Sequence, residues 1–250
     1  MSGGVLCIDC GNTRLKWGLR DGGRWLVQDA LPLADVDRLA DMLPGRPARI
    51  VACNVAGAAV GASVETLVGC DGVPLSWVSA QASQGGVTNR YDNPAQLGAD
   101  RWAALVGARG LHRRACLVVN AGTATTIDVL DGAGDFLGGL ILPGLQMMRA
   151  ALAGNTAGLP LAAGVFRDLP RNTDDAIASG CLDATLGAIE RMFRHVAGAP
   201  GALCLLSGGA ATGIAAQIAL PVRRVDNLVL EGLARIAEVA GAEAPCDHRI

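Results

Sequence analysis

Histidine is scarce in this chain: only His112, His195 and His248 occur in 250 residues, and they lie far apart. Cys7 and Cys10 have C-x-x-C spacing, but no second such pair exists among the eight cysteines. A structural zinc site needs four Cys or His ligands, usually as two short-spaced pairs, so the sequence argues against one. Cys53, Cys116, Cys181 and Cys204 stand among apolar or small residues, where a thiol acts as a small hydrophobe. Cys7 and Cys10 read as fillers beside the turn they flank. Charge is also thin, at 18% of residues with a net value of −2. The basic pairs Arg113-Arg114 and Arg223-Arg224 are too short for a nucleic-acid footprint and read as solvated element ends. No basic, apolar leader opens the chain. The one long uncharged run, 201–222, is broken by Ser207, Gly208, Gly209, Thr212, Gln217 and Pro221. It reads as strand, glycine loop and helix rather than a membrane span. A cytoplasmic protein with no membrane or nucleic-acid partner is the expectation. No Ser-His-Asp or Cys-His arrangement offers a nucleophile.

What is abundant is apolar residue, 51% of the chain, enough for a large core in one domain or two lobes. The stretch Val5-Leu6-Cys7-Ile8-Asp9-Cys10-Gly11-Asn12-Thr13-Arg14-Leu15-Lys16 drives an apolar strand into a carboxylate, a glycine, two small polar residues and a cation. Asp9 offers oxygen to a hard divalent cation such as Mg²⁺. Gly11 admits close backbone approach, and the nearby N–H groups with Asn12, Thr13 and Lys16 can receive phosphate oxygens. Read alone, this is equally an ordinary hairpin turn.

A second copy weighs against that plain reading. Leu117-Val118-Val119-Asn120-Ala121-Gly122-Thr123-Ala124-Thr125-Thr126 repeats the pattern, with 120 − 9 = 111 and 122 − 11 = 111. Each copy continues as a strand, a glycine hairpin (20–24 and 131–135) and a returning strand. Repetition on this scale points to duplicated lobes. Between the copies, helical spacing covers 33–43, 58–67 and the stretch from Gln96 to Leu111, with strands at 49–54 and 75–78. The segment 79–94 reads as polar loop and holds Tyr91, the one tyrosine. Asp100 and Arg101 stand at a helix start, where a carboxylate is favoured and N–H groups attract anions; a plain N-terminal acid is the ordinary alternative. Later come a helix at 145–152, one from 174 to about 196 capped by Asn172 or Thr173, a strand at 203–206, a glycine turn, a helix over 227–241 and a loose tail to Ile250.

Two such units, each with a small-residue phosphate cradle, resemble the actin, hexokinase and Hsp70 superfamily. The chain resembles, over nearly its whole length, the type III pantothenate kinases of that superfamily. The motifs that carry the likeness are Asp9-Cys10-Gly11-Asn12-Thr13, Gly98-Ala99-Asp100-Arg101, Gly122-Thr123-Ala124-Thr125-Thr126, Pro143-Gly144, and Asn172-Thr173 before Ser179-Gly180. The resemblance implies an α/β fold of two RNase H-like lobes with mixed sheets, drawn at 1–116 and 117–250, and an ATP cleft between them. It implies ATP-dependent phosphorylation of pantothenate to 4'-phosphopantothenate, the first step of coenzyme A synthesis, by a homodimer that coenzyme A does not inhibit.

Residue by residue, it implies that Asp9, Cys10, Gly11, Asn12, Thr13, Arg14, Leu15 and Lys16 form the first ATP loop, with Asp9 near Mg²⁺ and Thr123 contacting ATP from the second loop. Gly98, Ala99, Asp100 and Arg101 would bind pantothenate, Tyr91 would line its pocket, and Thr173 would reach it from the neighbouring subunit. Asp100 would accept the proton of the substrate's primary hydroxyl, and Arg101 would offer a planar fork to its carboxylate. Asn120 departs from the family, whose members commonly carry aspartate there and use it to bind K⁺ or NH₄⁺. An amide lacks the charge to concentrate a cation, so a weakened monovalent-cation site is expected. Two rivals remain: another small-molecule kinase or phosphatase of the superfamily, and a nucleotide- or pantothenate-binding regulatory module that has lost catalysis.

Overall fold

The computed structural model describes residues 3–69, 72–161 and 163–242. Two compact units emerge: the chain up to Arg113 together with the segment from Leu228, and Arg114–Asn227. The first begins with a meander of β1 (Val5–Cys10), β2 (Arg14–Asp21) and β3 (Arg24–Pro32). The stretch expected as one helix over 33–43 is instead a 3-10 helix (Leu33–Arg38) passing into a short α1 (Leu39–Met42), with Asp35 outside helical geometry. Then come β4 (Arg49–Asn54), α2 (Ala58–Gly69) and β5 (Leu75–Trp77). The segment expected as loop contains a small hairpin, β6 (Ser83–Gln84) with β7 (Val87–Asn89), turning at Gly85-Gly86. A 3-10 turn at Pro94–Gln96 precedes α3 (Ala99–Leu111). Asn93 caps that turn by accepting from the Ala95 N–H, and Leu97 returns to extended backbone, so α3 starts three residues later than Gln96.

The second unit repeats the plan. Its meander is β8 (Cys116–Ala121), β9 (Ala124–Leu130) and β10 (Asp135–Pro143). There follow α4 (Leu145–Asn155), α5 (Thr173–Phe193), β11 (Leu203–Ser207), α6 (Ala211–Ala215) and β12 (Val222–Arg224). Arg223 and Arg224 thus belong to a strand. Strand order is β3-β2-β1-β4-β5 in the first unit and β10-β9-β8-β11-β12 in the second. In both, the first strand pairs antiparallel with the second and parallel with the fourth, and the fifth runs parallel to the fourth. The second turn is one residue tighter. Asp9 pairs with Lys16 and Asn120 with Thr126, so the offset of 111 before the turn becomes 126 − 16 = 110 after it.

Alternation along β1 sends Leu6, Ile8 and Cys10 into a core with Leu15, Trp17, Leu19, Ile50 and Val64, and sends Cys7 and Asp9 to the opposite face. Leu117, Val119, Ile127, Leu186, Ile189 and Leu206 form the second unit's core. The final helix, α7 (Leu228–Ala242), packs against α3 and β1, although the division at 116/117 places it in the second lobe. The reason is a close crossing. A Cβ on Gly107 would stand 2.6 Å from the Leu228 carbonyl oxygen, and one on Gly232 would overlap the Ala103 backbone. The expected tail beyond 242 lies outside the described residues. No helix among the described residues is long and apolar enough to cross a membrane.

Candidate active site

The first turn is built by register. Asp9, on β1, has Lys16 opposite it on β2 and Cys53 opposite it on β4, so all three side chains share one face of the sheet. Lys16 Nζ lies 3.3 Å from Asp9 Oδ2, and the Cys53 thiol donates to Asp9 Oδ1 at 3.6 Å. The Asp9 carboxyl is buried, and burial pushes its pKa up from 3.8; Lys16 opposes this, and the charge of Asp100 adds to it. Asp100, at the start of α3, therefore stands within electrostatic reach of Asp9 inside one unit. Burial likewise drives the Cys53 thiol well above its ordinary value, with Asp9 the next cause, and lifts Cys7 and Cys10 to about 12.

The other residues expected at the first ATP loop divide by direction. Cys10 and Leu15 are fully buried core side chains, which leaves only their backbone for a ligand. The Gly11 N–H donates to the Asp9 and Arg14 carbonyls at 3.2 Å each, closing the turn and leaving Asn12 and Thr13 exposed at its tip. Arg14 is exposed, and its guanidinium donates to the Ala30 carbonyl at 2.8 Å.

Beside Asp100, Arg101 is buried, and its Nη1 donates to the Tyr91 hydroxyl at 3.0 Å while the guanidinium lies 5.7 Å from the ring centre. Tyr91 is itself placed by the buried Asn89, whose Oδ1 accepts from the Tyr91 N–H and whose Nδ2 donates to the Pro94 carbonyl. Asp100 Oδ1 accepts from the Arg101 N–H at 2.8 Å. A Cβ on Gly98 would come 2.7 Å from that same Oδ1, so the absent side chain at 98 makes room for this carboxylate. The structure brings together Tyr91, Asp100 and Arg101, which the sequence had singled out, and adds Cys53 and Asn89, which it had not. The signal for Cys53 was its strand pairing with Asp9, which needs the sheet register.

Thr123 and Thr173 belong to the second unit. Thr123 lies exposed in the turn after β8, which is pinned on two sides. The Gly144 N–H donates to the Thr123 carbonyl at 2.9 Å, and a Cβ on Gly144 would overlap the Gly122 and Thr123 carbonyls. Gly208, with φ of +100°, presses against Ala121 from the end of β11. Turns clustered at the carboxyl ends of strands are where α/β sheets receive ligands. Asn120, between Thr126 and Ser207 by register, occupies the position of Asp9. Asn172, rather than Thr173, caps α5 by accepting from the Asp175 N–H, and Thr173 is the first helical residue, exposed.

A family model for type III pantothenate kinase matches residues 5–195. The chain belongs to this family. A type III pantothenate kinase from Aromatoleum aromaticum is 57% identical over 93% of this chain and 97% of its own. Another from Azoarcus is 49% identical over 98% of this chain and 94% of its own. Among solved structures, a protein assigned as a 2-dehydro-3-deoxygalactonokinase from Sinorhizobium meliloti superposes with a TM-score of 0.58 at 17% identity, covering 96% of this chain and 99% of that one. The fold is that of the actin-like ATPases.

A kinase of this family calls for a divalent metal with its ATP. Among the described residues there is no cluster of three or more His, Cys, Asp or Glu suited to a metal. Mg²⁺ commonly binds through one or two carboxylates plus substrate phosphates, and a buried carboxylate whose charge is penalised gains from a further cation. Asp9 fits that demand.

Proposed function

We infer that this protein transfers the terminal phosphoryl group of ATP to the primary hydroxyl of pantothenate. The observation that carries this reading is the placement of two carboxylates, Asp9 and Asp100, within electrostatic reach of each other on one unit of a chain from this family. The roles divide by environment. The turn tip Asn12-Thr13 presents backbone N–H groups and small side chains to phosphate oxygens, and Thr123 offers its hydroxyl in the corresponding turn of the second unit. Lys16 holds the Asp9 carboxylate and adds positive charge at the phosphates. Asp9 would hold Mg²⁺, which when bound neutralises developing charge on the phosphoryl oxygens. Asp100 takes the proton of the attacking hydroxyl. Arg101, fixed against Tyr91, receives the pantothenate carboxylate beside Ala99, while Gly98 leaves the room in which the Asp100 carboxylate sits.

Phosphoryl transfer depends on position and charge neutralisation more than on covalent help, so this short set suffices. Thr173 completes the pantothenate site of the neighbouring subunit in a homodimer. A pairing surface is available on the second unit, where Leu137, Ile141, Met147, Leu161, Val165 and Leu169 are exposed apolar side chains. The protein acts in the cytoplasm. Asn120 in place of a carboxylate gives a weakened response to K⁺ or NH₄⁺.

ADP release from ATP, measured with and without pantothenate, tests the reading. Wild type should require pantothenate, and Asp100→Asn should lower turnover by about 10²–10⁴-fold while keeping the fold. ADP release indifferent to pantothenate would overturn it, in favour of a binding module or a kinase for another substrate.

A further inference from the structure

The thiol of Cys53 has no part in the roles above, yet it faces the carboxylate on which they depend. Each oxygen of Asp9 has its own partner: Lys16 Nζ at 3.3 Å from Oδ2 and Cys53 Sγ at 3.6 Å from Oδ1. Both partners come from directly paired positions on the flanking strands, Lys16 antiparallel and Cys53 parallel. Neither depends on a loop. Cys53 is fully buried, and its contact with Asp9 lies inside the sheet face rather than at the solvent. Such a thiol, surrounded by apolar groups and next to a carboxylate, keeps its proton and serves as a donor. The second unit places Ser207, another short donor side chain, at the matching position beside Asn120.

We propose that Cys53 is a positioning residue: its S–H donates to Asp9 Oδ1 and, with Lys16, fixes the rotation of the carboxylate that binds the metal with the nucleotide. This rests on the reading of Asp9 as the metal-bearing carboxylate. An S–H···O⁻ bond is weak in isolation, but this one is buried, and it limits rotation of the carboxylate about χ2. Without it, Asp9 remains tied to Lys16 alone, and the ammonium can draw both oxygens towards itself. The metal would then meet a carboxylate turned away from it.

The test uses two substitutions of similar size. Cys53→Val fills the space without a donor, and its branched side chain suits a strand. Cys53→Ser keeps a donor. For full-length wild type and both variants, calorimetry measures the dissociation constant of a non-hydrolysable ATP analogue with Mg²⁺ and with EDTA. The ratio of the two constants reports the coupling of metal to nucleotide, which general loss of stability does not change. Wild type should bind more tightly with Mg²⁺. In Cys53→Val the ratio should fall by about threefold to tenfold, the range of one modest hydrogen bond; in Cys53→Ser it should stay within about twofold of wild type. A Val variant with an unchanged ratio overturns the positioning role while leaving Asp9 as the metal carboxylate. A wild-type protein with no Mg²⁺ dependence overturns the metal reading itself. If Cys53→Val does not fold, Cys53→Ala is measured in its place. A fall in ratio for Ser as large as that for the donorless variant also counts against the proposal.

Discussion

In the first unit Asp9 stands between Lys16 and Cys53; in the second, Asn120 stands between Thr126 and Ser207 at the same register positions. The strand order, the parallel and antiparallel pairings and the glycine after the central residue are common to both. Charge is not. One triad holds a buried carboxylate against an ammonium, while its counterpart consists of an amide and two hydroxyls. A shared backbone thus carries two different electrostatic sites. The carboxylate version has a folding cost, seen in the upward push that burial gives Asp9. The neutral version buries no charge, and its turn is held by packing: Gly144 and Gly208 close on it with no room for a side chain. The comparison separates two ways of making a phosphate-type turn, one organised by charge and one by close backbone contact.

Making the first turn resemble the second should have the largest effect. Asp9→Asn removes the carboxylate proposed to hold the metal, and pantothenate-dependent ADP release should fall by at least about 10²-fold, the scale of several kcal/mol of lost charge stabilisation. Comparable activity in the Asn variant would erase the functional difference between the turns. Attacking the packing comes next. Gly144→Ala drives a methyl group into the carbonyls at 122 and 123 and should cost about 1–3 kcal/mol in urea unfolding. Gly11→Ala meets only the Arg14 oxygen, at 3.2 Å, and should cost distinctly less. Equal losses would show that both turns depend on packing alike.

Stability against pH gives a smaller effect with a definite sign. The folded pKa of Asp9 is raised above 3.8, so the folded state holds a proton that the unfolded state has released. The stability this contributes is fully present below 3.8 and is lost as pH rises through the folded value. In EDTA, Asp9→Asn should therefore melt above wild type at neutral pH, with the gap closing as pH approaches 3.8 from above. A gap that widens on acidification would contradict burial as the dominant cause. The smallest change should come from making the second turn resemble the first: Asn120→Asp should steepen the dependence of activity on K⁺. Identical K⁺ titrations for the two proteins would show that the charge at 120 does not set the cation response.

Much of this was readable in the sequence because it is local. Apolar runs ending at Asp9 and Asn120, glycine hairpins and the Gly98-Ala99-Asp100-Arg101 helix start all lie within a few residues of chain. Family likeness then pointed to Tyr91 and Thr173. What the sequence hid depends on register or distant packing. Cys53 is 44 residues from Asp9 and has the composition of a core filler, so only strand pairing reveals it. The β6–β7 hairpin was hidden because two- and three-residue strands leave no periodicity. The 33–43 segment carries helical spacing, yet its backbone breaks at Asp35. The room left at Gly98 is taken by the chain's own Asp100, a packing contact that the sequence does not display.

The crossing of α3 and α7 at Gly107 and Gly232 also governs how the protein is made. A ribosome delivers β1, α2 and α3 early, but the helix that covers the buried side of α3 emerges only after the entire second unit. Until then Ala103 and Gly107 lack the helix that crosses them, and Asp9 sits in an unfinished sheet face. The second unit is contiguous in the chain and can close during synthesis, while the unit bearing Asp9 and Asp100 must wait for the segment from Leu228. Nascent chains stalled before Leu228 should accordingly carry a protease-resistant second unit and a protease-sensitive first one.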